Sequence, residues 1–158
     1  MTAEETLQQA QKIIEPFVVE MRSPESSRLD GIVSPQNLIP ALQALKDAHW
    51  GYLSAITGLD YPPSEGEEGH LEALYHLVMD GAVLTVRVKV PYSRPELESV
   101  CQVYPAASLY ERELMEMFGF ILKGTPSTDR LLLSDDWPQG VYPLRKSFQS
   151  GKVQEESL

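Results

Sequence analysis

One cysteine, three histidines and a shortage of basic residues are what this chain has least of. With Cys101 alone, an intrachain disulfide, a cysteine-based zinc site and an iron–sulfur cluster on its usual four thiolates are all excluded. A lone cysteine is ordinarily a buried small hydrophobe, and Cys101 is read so. His49, His70 and His76 show no metal-ligand spacing and read as surface or half-buried histidines. Thirteen Lys and Arg against 23 Asp and Glu give a formal net charge of −10, which repels phosphate over most of the surface and argues against a nucleic-acid partner. No apolar run approaches membrane-spanning length. The opening MTAEETLQQAQ lacks the basic flank and apolar stretch of a signal peptide. The expectation is a cytoplasmic protein, or one held at a membrane only by something else. G-x-G-x-x-G, Walker A, G-x-S-x-G and H-E-x-x-H are missing too, which weighs against an independent enzyme. Glu65, Glu67 and Glu68 lack EF-hand spacing and read as a solvated loop.

What is present is a globular composition, 42% hydrophobic and 23% charged over 158 residues, enough for one ordinary core. Thr2 and Glu5 form a capping box ahead of Leu7, Ala10, Ile13, Ile14 and Phe17 at helical spacing. Two strands follow, over residues 18–22 and 27–33, separated by a Ser-Pro turn. Ser34 as cap and Pro35 in the first turn start a second helix that turns Leu38, Leu42 and Leu45 inward. Residues 50–57 read as a strand and 60–70 as an exposed acidic loop. Asp80-Gly81 between two apolar-rich runs predicts a hairpin with a type I′ turn. That turn makes paired residue numbers sum to 161. Leu77/Leu84, Tyr75/Val86 and Ala73/Val88 then share a core face, while His76/Thr85, Leu74/Arg87 and Glu72/Lys89 share a partly wet one. Residues 95–103 read as a short helix or turn. The pattern predicts an α+β domain over residues 1–118: two layers, a mixed or largely antiparallel sheet, helices on one face.

Residues 108–118, SLYERELMEMF, carry the densest charge. Ser108 with Glu111 reads as a second capping box, Arg112 with Glu116 as an i,i+4 surface pair, and Gly119 as the left-handed residue that ends the helix. Ala107, Tyr110, Leu114, Met117 and Phe118 make its buried stripe. Glu113 is left over and is a candidate for a partner contact. Residues 119–158 have neither helical nor strand period, yet hold Leu131, Leu132, Leu133, Trp137, Val141, Tyr142, Leu144 and Phe148, too apolar for a free linker. Such a segment either wraps over its own domain or docks outward. Its Trp and Tyr suit an interface, and Arg130, Arg145 and Lys146 suit a partner's carboxylates.

Taken together, E-R-E at Glu111, Arg112 and Glu113, then Phe118-Gly119, Gly124 with Pro126 and Arg130-Leu131-Leu132-Leu133, then Asp136-Trp137 and Pro143-Leu144-Arg145-Lys146, resemble the signature of the 30 kDa subunit family of NADH:quinone oxidoreductase, respiratory complex I. Related subunits occur in membrane-bound hydrogenases. The motif match covers roughly the last third of the chain. The resemblance implies a peripheral-arm subunit with no redox cofactor, on the cytoplasmic side of the membrane. It implies that the extended C-terminal segment docks on the large, 49 kDa-like, quinone-site subunit through Glu113, Arg130, Leu132, Trp137, Tyr142, Leu144, Arg145 and Lys146. Leu109, Thr125, Ser127, Asp129 and Ser147 depart from the family pattern and keep a [NiFe]-hydrogenase or formate hydrogenlyase assembly as the alternative. A stand-alone enzyme built on Glu113 and Arg112 is a third reading, and it requires a concave pocket around Glu113.

Overall fold

In the computed structural model, which describes residues 1–150, the capping box at Thr2 and Glu5 opens helix α1, Ala3–Ile14, and points Leu7, Ala10 and Ile14 into the core. Strands β1, Val18–Glu25, and β2, Arg28–Val33, pair antiparallel. The expected Ser-Pro turn is in fact strand: Ser23 and Pro24 lie within β1, an edge strand with an irregular register there, where a missing N–H costs no ladder bond. Pro35–Asn37 forms a 3-10 turn and helix α2 begins after it, at Leu38–Asp47. Ser34 caps neither by side chain, because the tighter turn satisfies those amides through its own backbone. Leu38, Leu42 and Leu45 are fully buried, as their spacing requires.

Strand β3, Tyr52–Tyr61, is followed by β4, His70–Met79, and β5, Ala82–Pro91. Asp80 and Gly81 both take positive φ, the geometry of a type I′ turn, and every hairpin pair from Leu71/Val90 to Met79/Ala82 sums to 161. The odd-numbered residues of β4 and the even-numbered residues of β5 are core. On the reverse face, Glu72 and Thr85 are buried and Lys89 is exposed.

The strand order β1-β2-β5-β4-β3 is mixed, because β2 and β5 run parallel while the other neighbours are antiparallel. Helix α1 packs against α2, β2 and β5. Helix α3, Ser108–Phe118, lies on β3. Its close approach depends on Gly58, where a Cβ would come within 2.5 Å of the Phe118 ring. The expected helix or turn over residues 95–103 resolves into a strand, β6 at Glu96–Glu98, and a 3-10 turn at Val100–Gln102. The chain beyond Gly119 is also more ordered than its lack of period suggested. Strand β7, Ile121–Lys123, pairs parallel with β6 and buries Leu122 beside Phe120. Residues 124–150 then run as turns over the outer side of α3. The last eight residues of the expected docking segment, 151–158, lie outside the described residues.

Candidate docking surface

Helix α3 holds the strap that follows it by charged side chains bonded to backbone. The Arg112 guanidinium donates to the carbonyls of Asp129 at 2.9 Å and Arg130 at 2.6 Å, and the Glu116 carboxylate accepts from the amides of Leu131 at 2.5 Å and Leu132 at 2.9 Å. The expected Arg112–Glu116 ion pair is therefore not made. Each charge instead satisfies two peptide groups of a segment that has no ladder of its own, and bonds to an ionised partner are roughly twice as strong as neutral ones.

Lower on the helix, Gly119 ends α3 with φ 84°. A side chain here would meet the Tyr142 ring at 2.6 Å and Arg145 at 2.9 Å, so the strap crosses the helix end at a point only glycine leaves open. The Arg145 Nε donates to the Phe118 carbonyl at 2.6 Å, with its guanidinium 4.9 Å from the Tyr92 ring centroid and 4.7 Å from that of Tyr142. A cation at a helix C-terminus between two aromatic faces gains from both the helix dipole and the ring quadrupoles. The Leu144 amide donates to the Met117 carbonyl at 3.1 Å and the Lys146 amide to Asp60 at 2.8 Å. Asp60 also accepts from the Tyr92 hydroxyl. Burial and this bond to a carboxylate push Tyr92 up to about 12. Asp60 is accordingly not part of the exposed loop; it is a buried anchor at the end of β3.

The Arg130 guanidinium donates to the Trp137 carbonyl at 2.9 Å, the Trp137 indole N–H to the Val141 carbonyl at 2.8 Å, and the rings of Trp137 and Phe148 lie 6.0 Å apart. The sequence-derived contact residues thus fall into two groups. Arg130, Trp137, Tyr142 and Arg145 are partly buried and engaged within the chain. Leu132 and Leu144, 63% and 52% exposed, point away from it, as does Lys146. Glu113 is partly exposed and makes no hydrogen bond or ion pair among the described residues. It lines neither of the grooves beside α3, formed by Met115, Glu116, Arg130 and Tyr142 on one side and by Gly58, Phe118, Leu144 and Lys146 on the other.

Glu111 is the residue that sequence reasoning misplaced. Ser108 lies inside the helix, Ala107 precedes it without a side-chain cap, and Glu111 is fully buried. Its carboxylate accepts from the Ser99 hydroxyl at 2.7 Å, the Val100 amide at 2.8 Å and the Cys101 thiol at 3.2 Å. Partial burial and the neighbouring carboxylate push the Cys101 thiol up to about 11, so it stays protonated as a donor. S-x-x-E matches a capping box here by coincidence. In the turn 12 residues upstream only the Val100 amide goes to Glu111, those of Ser99 and Cys101 bonding to the Lys123 carbonyl and the Ser99 hydroxyl, so no signal in the sequence marks the tie. Among the described residues no three His, Cys, Asp or Glu side chains cluster as metal ligands, and no helix is long and apolar enough to cross a membrane.

The backbone clamp makes a direct prediction. Glu116→Ala should accelerate amide exchange at Leu131 and Leu132 by about tenfold or more, since a bond to a charged group contributes about 1.5–3 kcal/mol. The β4–β5 hairpin should remain unchanged. Equal exchange at both amides in the variant and the parent would show that the strap is held by something else.

The family model for the respiratory-chain NADH dehydrogenase 30 kDa subunit matches residues 32–154. An NADH-quinone oxidoreductase subunit of a Nocardioides species is 35% identical over 123 residues, covering 75% of this chain and 48% of that protein. Formate hydrogenlyase subunit 5 of Escherichia coli is 42% identical over 99 residues, 61% of this chain and 17% of that one. The chain thus spans about half the length of the first of these relatives and a smaller part of the second. Among solved structures, a chain of the membrane-bound sulfane sulfur reductase, an archaeal respiratory membrane complex, superposes with a TM-score of 0.79 at 27% identity, covering 97% of this chain and 89% of that chain.

Proposed function

The chain belongs to the respiratory-chain NADH dehydrogenase 30 kDa subunit family, and from that premise we propose that it is a non-catalytic peripheral-arm subunit of a complex I-like NADH:quinone oxidoreductase. In that role it scaffolds the electron-transfer and quinone-site subunits and reaches the cytoplasmic face of the membrane only through them. The observation that carries this reading is the strap. Its backbone is fixed on α3 by Arg112, Glu116 and Arg145, while Leu132, Leu144 and Lys146 are turned outward. An irregular segment held in one shape with its apolar side chains facing solvent is pre-organised for a partner, because the ordering entropy is met before contact. The partner is the large, 49 kDa-like, quinone-site subunit, with Leu132 and Leu144 as its apolar contacts and Lys146 and Glu113 as polar ones. Arg130, Trp137, Tyr142 and Arg145 serve the same surface by shaping it.

Affinity purification of the tagged full chain from native membranes is expected to bring down the large quinone-site subunit. Leu132→Asp/Leu144→Asp should abolish that recovery without changing the circular dichroism or thermal midpoint of the isolated chain. Recovery of the parent chain as a free monomer from solubilised membranes, or undiminished recovery of the double variant, would overturn the assignment. A large subunit bearing nickel-binding cysteines would place the chain in a hydrogenase-type assembly instead.

A further inference from the structure

The five-stranded sheet has two edges, and only one is defended. Strand β1 carries Glu20, Arg22, Pro24 and Glu25, with register breaks between Val18 and Glu20 and between Arg22 and Glu25. Charges, proline and bulges are the devices that keep an edge strand from pairing. The opposite edge, β3, runs ten residues without Pro, Lys or Arg, and its single charge, Asp60, is buried. Its only irregularity lies between Leu53 and Ala55, where the Tyr110 hydroxyl donates to the Ser54 carbonyl at 2.8 Å. Over residues 55–61 the pairing with β4 is regular, and no backbone bond from any other described residue reaches the outer side. Beside this stretch lies a groove of about 350 Å³ lined by Gly58, Leu59, Asp60, Tyr61, Phe118, Leu144 and Lys146, the Asp60 carboxylate being taken by the Lys146 amide and the Tyr92 hydroxyl. Lys146 is exposed and makes no ion pair among the described residues.

We propose that residues 55–61 of β3 accept an extended segment of an assembly partner as a sixth strand, with an apolar side chain of that segment over Phe118 and Leu144 and a carboxylate opposite Lys146. This rests on the subunit role proposed above and adds to it a second, backbone-mediated contact. The occupant's chemistry follows from what the edge offers. Unpaired peptide groups in a row select an extended backbone, and the groove below them selects side chains at alternate positions. The cation selects an acidic residue. A second copy of this chain is disfavoured because it would bring a whole sheet to the edge.

Hydrogen exchange on the intact assembly from native membranes, compared with the isolated full chain, tests this. The outward amides of residues 55–61 are expected to exchange at least tenfold more slowly in the assembly. Lys146→Glu should lower recovery of the chain with its partners severalfold, while Lys146→Arg should leave it unchanged. Unaltered exchange of β3 in an assembly that retains the chain would overturn the added strand and leave the subunit role standing. Protection that appears in the isolated chain and grows with its concentration would identify a second copy as the occupant and overturn the partner segment. A chain that enters no assembly would remove both proposals.

Discussion

Glu111→Ala is expected to destabilise the chain by about 3–5 kcal/mol, a large part of the roughly 5–15 kcal/mol that holds a domain of this kind together. The carboxylate is fully buried, and its three donors, the Ser99 hydroxyl, the Val100 amide and the Cys101 thiol, come from the turn that follows β6. Without it the Val100 amide has no other acceptor, and an orphaned buried donor costs about 1–3 kcal/mol by itself. The Ser99 hydroxyl loses the acceptor for its own proton and keeps only the bond it accepts from the Cys101 amide, and the removed stem leaves a void. The damage spreads through topology. The Ser99 amide bonds to the Lys123 carbonyl, so the turn that Glu111 holds also closes the β6–β7 pair from which the strap departs. Urea denaturation should show the midpoint falling by roughly 2 M for a typical slope of 1–3 kcal/mol per M. Glu111→Gln, which keeps the shape but presents an NH2 to at least one donor, should fall between variant and parent. Glu113→Ala, two residues along on the partly exposed side, should stay within about 0.5 kcal/mol of the parent. Similar midpoints for Glu111→Ala and Glu113→Ala would refute the buried tie.

This contrast marks where the sequence is readable. The hairpin register is legible to the residue because a two-residue Asp-Gly turn leaves one pairing, and a slip by one would turn Tyr75 and Leu77 out of the core. Helical stripes are legible for the same reason of period. The α+β class with helices on one face of a mixed sheet follows from these, but the parallel β2–β5 neighbour does not, since it depends on a crossover through α2, β3 and β4. Strands β6 and β7 are illegible: three residues show no alternation, and their partners lie about 25 positions apart. At the strap, the residue types are legible and their partners are not. Arg112 and Glu116 at i,i+4 look like an ion pair in any exposed helix. Here the unpaired peptide groups of residues 129–132 offer each charge two bonds, against the few tenths of a kcal/mol that a surface pair contributes. Charge alone singles out Arg145 as a partner contact, whereas its place between Tyr92 and Tyr142 depends on how the strap closes over Gly119.

Arg87→Ala should cost about 3–5 kcal/mol at pH 7, and that cost should shrink on acidification. Arg87 sits on the reverse face of the sheet, donating to Glu72 at 2.7 and 3.1 Å and to Asp30 at 3.1 Å, and Glu72, 1% exposed, accepts a third bond from the Tyr61 hydroxyl at 2.9 Å. Burial alone would push the Glu72 carboxyl up. The bonds from Arg87 and Tyr61 outweigh it and hold the group below its ordinary 4.5. A carboxyl depressed in the folded state binds fewer protons there than in the unfolded chain. Its contribution is therefore complete above the ordinary value and is lost as pH falls through the depressed one. With Arg87 gone, burial is opposed only by the Tyr61 hydroxyl and Lys89, and the folded value rises. Glu72 then contributes less stability above the ordinary value than it does in the parent. The two stability curves should converge below about pH 4.5, because a neutral Glu72 needs no cation. In the Glu72→Gln background the effect of Arg87→Ala should be smaller at pH 7 and nearly independent of pH between about 4 and 7. Urea midpoints for the parent, both single variants and the double variant across that range measure the coupling. A penalty for Arg87→Ala that stays constant with pH would mean that Arg87 contributes by packing its stem over the sheet and not by neutralising Glu72.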